Sequence, residues 1–105
     1  MTEIRFFRDA RGLMGVRLSG HAGFAGKGED IVCAGISSAV LLVCNGITEV
    51  LKAPCRLETG EGEVELYLEA GAGEPARAFL EALKLHLEEL SREYPGYLNT
   101  DVLEV

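Results

Sequence analysis

Residues from about Ile31 to about Lys52 form a run of helix length that is apolar almost all round. Such a helix needs cover on more than one side. In a chain of 105 residues this makes it the centre of one small domain, or part of a subunit interface. Val32, Ile36, Ala39, Val40, Val43, Ile47 and Val50 are expected to cover a sheet, leaving Leu41, Leu42 and Leu51 in need of a second cover. A second helix or a partner subunit would serve equally well. Asp30 is placed as the N-cap, and Pro54 prevents the helix from continuing. The longest apolar stretch, Ile31 to Cys44, is broken by Ser37 and Ser38 and is too short to span a bilayer.

The flanking segments alternate. Ile4 and Phe6 alternate with Glu3 and Arg5, and Val16 and Leu18 with Arg17 and Ser19. With a turn at Asp9-Ala10-Arg11-Gly12, the first twenty residues read as a hairpin. A second hairpin is expected from Cys55 to Thr59 and Glu63 to Glu69, about Gly60-Glu61-Gly62. In it Val64, Leu66 and Leu68 face opposite to Glu63, Glu65, Tyr67 and Glu69. Pro75 opens a second helix whose stripe is Phe79, Ala82, Leu83, Leu87, Leu90 and Tyr94, with Arg77, Glu81, Lys84 and Glu88 opposite. Pro95-Gly96 ends it, and a last strand runs from about Leu98 to Val105. No linker or repeat divides residues 1–105. The order ββαββαβ implies an α+β class, with two helices packed on a largely antiparallel sheet.

The formal charge of −7 argues against a phosphate-backbone ligand and suits a basic partner. Three cysteines without a CxxC pair argue against a disulfide framework or a four-ligand zinc site. The N-terminus lacks the apolar run of a signal peptide, so a reduced, cytoplasmic location is expected.

Chemistry concentrates between the first hairpin and the apolar helix. His21 follows the strand, and Cys33 falls in the first turn of a helix capped by Asp30. A helix start favours the thiolate, the reactive form of cysteine, and an imidazole can take the thiol proton. Free amides of the first turn can also hold an oxyanion. Ser37 follows Cys33 by four residues, on the same helix face. Gly20 just before the base, and Gly23, Gly26 and Gly28 between base and nucleophile, make a segment able to close over an extended peptide. They do not form a P-loop.

Plainer readings exist for each residue. Free cysteines are commonly buried small hydrophobes, and that reading is preferred for Cys44 and Cys55. His21 could simply bond a backbone carbonyl, and His86 reads as a packing residue of the second helix. The acidic side chains Glu61, Glu63, Glu65 and Glu69 read as solvated surface. A redox role for Cys33 lacks a resolving cysteine nearby. A non-catalytic binding module with a structural thiol also stays open.

The run Gly20-His21-Ala22, then Gly28-Glu29-Asp30-Ile31-Val32-Cys33-Ala34-Gly35-Ile36-Ser37, closely resembles the ribosomal-processing cysteine protease family. The likeness extends to the opening hairpin and to Leu90-Ser91-Arg92-Glu93-Tyr94-Pro95. It implies a homodimeric bacterial endopeptidase that removes the N-terminal extension of a large-subunit ribosomal protein, cutting after a Phe-Phe pair. It implies a dyad of His21 and Cys33, with supporting positions at Asp30 and Ser37. The loop Gly23-Phe24-Ala25-Gly26-Lys27-Gly28 would meet the substrate. No metal or cofactor is required by this chemistry.

Overall fold

A computed structural model describes residues 1–20 and 27–105, the segment 27–30 as helix backbone only. The alternation at the N-terminus makes two strands, β1 (Thr2–Asp9) and β2 (Gly12–Ser19). The apolar run makes α1 (Lys27–Asn45), continued by a π-helical turn over Gly46–Val50. The second hairpin is β3 (Cys55–Gly60) with β4 (Glu63–Leu68), and α2 (Glu74–Glu93) leads to β5 (Leu98–Glu104). The strands form one sheet in the order β3-β4-β2-β1-β5. Only the β1–β5 pair is parallel; the rest are antiparallel. The fold is the expected α+β arrangement, two helices on a five-stranded mixed sheet.

One sheet face is apolar and carries both helices. Ile4, Phe6, Val16, Leu66 and Leu68 meet Val32, Ile36, Val40, Val43 and Ile47 of α1, and Ala76, Leu80, Leu83 and Leu87 of α2. The α2 stripe is therefore centred on Leu80, with Phe79 half-buried and Ala82 exposed, not on Phe79 and Ala82 as the spacing suggests. The other sheet face is open. There Tyr67 leans across Gly15 to within 5.4 Å of the Phe7 ring, and Arg56 stacks 4.9 Å above Tyr67. A Cβ on Gly15 would lie 2.7 Å from Tyr67 Cδ1, so only glycine admits that ring.

Two boundaries of α1 differ from expectation. The helix begins at Lys27, so Asp30 lies within its first turn and is not its N-cap. Glu29 and Asp30 are both favoured there, because acidic residues complement the positive end of the helix dipole. At the other end the π-helical turn widens the backbone, with the Leu51 N–H donating to the Gly46 carbonyl at 2.8 Å. The turn rotates the following residues, leaving Val50 75% exposed instead of packed on the sheet. With that turn included, Ile31–Val50 reaches a mean hydropathy of 2.0 over 20 residues, long and apolar enough to cross a membrane. Here it is the central helix of the domain, its inner stripe packed on the sheet.

Candidate active site

Cys33 sits in the second turn of α1, half-buried against the core. A cavity of about 270 Å³ opens beside it, bounded by α1, the end of β2 and the β3–β4 turn. Its walls include Gly20, Ser37, Gly62 and Glu63. Larger cavities lie around Arg77, about 470 Å³, and between the helices, about 520 Å³, neither lined by a cysteine. A third, about 330 Å³ between α1 and β3, is lined by the buried Cys44.

The backbone entering the site from β2 is fixed at Gly20. Its φ is +89°, a region that favours glycine. Its N–H donates to the Gly62 carbonyl at 3.0 Å. A Cβ at this position would fall 2.9 Å from the Met1 carbonyl oxygen. The end of β2 is thereby held to the hairpin turn that forms the cavity's far wall. Glu63 in that wall pairs with Arg17 at 3.6 Å.

The three thiols occupy different environments. Burial pushes the Cys44 thiol up, with Cys55 adding to it. Burial pushes Cys55 up as well, with the Glu69 carboxylate contributing. Cys44 is core, as its sequence context suggests, and Cys55 is half-buried at the start of β3. Cys33 is half-buried and lines the cavity at the end of β2, whereas Cys44, although it borders the cavity between α1 and β3, is itself buried.

Of the residues singled out from the sequence, Cys33 and Ser37 come together on one wall, one helical turn apart. His21, Gly23, Phe24 and Gly26 lie outside the described residues. Gly28 and Asp30 belong to the first turn of α1. The expectation that Cys33 lies in the first turn is corrected. The dipole's influence fades within that turn, and amides beyond it are bonded inside the helix. Oxyanion donors from the start of α1 therefore do not surround Cys33. His86 is exposed at the edge of the groove between the helices instead of packed in the core. Gly62 and Glu63, which the sequence showed only as part of a hairpin turn, are walls of the site.

A family model described as cysteine protease Prp matches residues 1–99. The chain is 29% identical over 94 residues to the ribosomal processing cysteine protease Prp of Bacillus subtilis, covering 84% of each chain. Among solved structures it is similar to SMU.848 of Streptococcus mutans, with a TM-score of 0.89, 25% identity and coverage of 100% and 96% of the two chains. It is similar in fold to S. aureus Prp in complex with a covalently linked product peptide, with a TM-score of 0.88, 20% identity and coverage of 98% and 100%.

Proposed function

The chain belongs to the cysteine protease Prp family, and from that premise we propose that it removes the N-terminal extension of a bacterial large-subunit ribosomal protein, cutting after a Phe-Phe pair with His21 and Cys33. Family membership makes the protein a cysteine protease and sets aside the non-catalytic binding module. The observation that carries the reading is the position of Cys33. Its thiol borders a cavity that is also lined by Gly20, the residue that precedes His21 in the chain. A B. subtilis relative is named for ribosomal processing, which supports the choice of substrate.

In this reading His21 takes the Cys33 proton, and the sulfur attacks the scissile carbonyl carbon. The tetrahedral intermediate collapses to a thioester, and the imidazolium protonates the departing amine. The same imidazole then takes a proton from water, which attacks the thioester and releases the acid and the free thiol. Ser37 is assigned to the peptide-binding wall, Asp30 to support of the helix start, and Gly23, Phe24, Gly26 and Gly28 to a loop that closes over the peptide. We also assign a homodimer through the outer surface of the two helices, a cytoplasmic location where ribosomal proteins are made, and no nucleic-acid contact. A charge of −7 suits a basic protein substrate and opposes a phosphate backbone.

The test is cleavage of a peptide carrying the extension. One cut is expected, on the carboxyl side of Phe-Phe. Cys33→Ala abolishes it while binding persists, and His21→Ala slows it by about a hundredfold or more. Undiminished cleavage by Cys33→Ala overturns the assignment.

A further inference from the structure

The apolar face of the sheet extends one strand beyond the helix layer. Leu57 of β3 pairs with Leu66 of β4 and so shares its face. Leu66 is fully buried, yet Leu57 remains 40% exposed, because β3 is the edge strand and lies outside the cover of α1. The result is a second cavity of about 330 Å³ between α1 and β3, with Val40, Leu41 and Leu57 in its walls. It is not separate from the cavity beside Cys33. Leu18, Ser37 and Val64, from three different elements, line both. Cys33, Ser37 and Leu41 follow one another at four-residue intervals along α1, so the joined cavities form a trough running down the helix from the thiol.

We propose that this trough receives one arm of the peptide substrate, and that Leu41 and Leu57 grip an apolar side chain three to four residues from the bond that is cut. The proposal rests on the proteolytic reading of Cys33. Its occupant follows from continuity and length. A peptide whose carbonyl meets the Cys33 sulfur must leave the reaction cavity, and the trough offers a bounded path whose far end is apolar. Two helical turns separate Cys33 from Leu41, about 11–12 Å along the axis. An extended chain advances about 3.3 Å per residue. The side chain seated between Leu41 and Leu57 therefore belongs to the third or fourth residue from the reacting carbonyl. Transfer of an apolar group into such a place is favourable, and a charged one is opposed because no charged side chain lines that end among the described residues.

The experiment uses the peptide that the wild-type protein cuts, with each residue within six positions of the bond changed to alanine in turn. Specificity constants are measured for the wild type, Leu57→Ser and Leu41→Ser. Both side chains are substantially exposed, so the variants are expected to keep the wild-type Tm and circular dichroism. For the wild type, one replacement at the third or fourth position costs about tenfold or more, carried by KM. In either variant the original peptide loses a comparable factor, and the alanine peptide loses little more, since both changes remove one contact. Cleavage by the variants with an unaltered position profile overturns the trough while leaving the protease reading intact. Absence of Cys33-dependent cleavage of any peptide removes the protease reading and this proposal with it. If the variants halve the mass seen by light scattering and leave the profile unmoved, the trough holds a second copy of the chain, and the proposal fails.

Discussion

Three thiols in one small domain are distinguished by what surrounds each. Cys44 is closed in by the core, and Cys55 shares its edge of the sheet with the Glu69 carboxylate. Both surroundings oppose the thiolate, the form that reacts. Iodoacetamide at neutral pH is therefore expected to modify Cys33 first, by about tenfold or more over the other two, read by mass spectrometry of the native protein. Equal labelling of all three would count against an accessible, competent thiol at Cys33. The sequence singles out Cys33 by its place near the start of the apolar helix and after His21, and the structure sets that thiol beside a cavity, one helical turn later than expected. The far wall of its cavity was not legible there. Gly62 and Glu63 reach Cys33 only because β4 pairs with β2, and no local pattern near residue 33 carries that pairing. Gly20 was visible as a glycine, but its contact with Met1 is a property of the assembled sheet.

At the scale of elements, strict alternation made the strands easy to read, since each has one buried face and a shifted register would turn apolar residues to water. The helix boundaries were harder. Asp30 suits an N-cap and an N-terminal turn equally well, and the structure uses the second option. The π-helical turn at Gly46 has no simple sequence marker; the Phe79 ring packs there, 3.2 Å from where a Gly46 Cβ would stand. Arg77, read as part of the polar face of α2, is the clamp between that helix and the first hairpin. Its guanidinium donates to both Asp9 carboxylate oxygens, at 2.9 and 3.2 Å, and to the Gly12 and Leu13 carbonyls. Arg77→Met strips four acceptors at once and is expected to lower Tm by roughly 4–8 °C or more at neutral pH. The same clamp carries a pH dependence. The Arg77 hydrogen bond, with the Arg11 amide, holds the Asp9 carboxyl below its ordinary range. A depressed folded value contributes stability above the unfolded value, near about pH 4, and loses it as pH falls through the folded one. Tm of the wild type should therefore drop on acidification from about pH 5 to pH 3, and Arg77→Met should flatten that drop. An unchanged slope would assign the acid sensitivity to other pairs, of which Arg5 with Asp101 is the clearest.

At the scale of the molecule, the outside of α1 carries exposed leucines. The sequence grouped Leu41 and Leu42 together as residues in need of a partner, and the fold separates them. Leu41 turns toward β3 and the trough, whereas Leu42 turns toward α2. There it lines a groove of about 520 Å³ with Val43, Phe79, Ala82, Leu83 and His86. The second helix thus packs beside α1 without closing over it, and Leu42 is left 70% exposed. An apolar groove of that kind between two helices is suited to the same surface of a second copy, which a two-fold axis would bring onto it. Light scattering of the wild type is expected to give twice the chain mass, falling toward the monomer only on dilution. Leu42→Glu should give a folded monomer, because the side chain carries no weight in the core and a buried carboxylate would oppose pairing. Loss of the leucine contact alone should weaken association by about tenfold to a hundredfold. Cleavage of a short peptide by that monomer then discriminates further. Activity retained at the wild-type level places a complete site within each chain, whereas activity lost together with the dimer makes the second copy part of the site. A wild-type mass equal to one chain at every concentration defeats the dimer, and Leu42 would then be an apolar residue facing water.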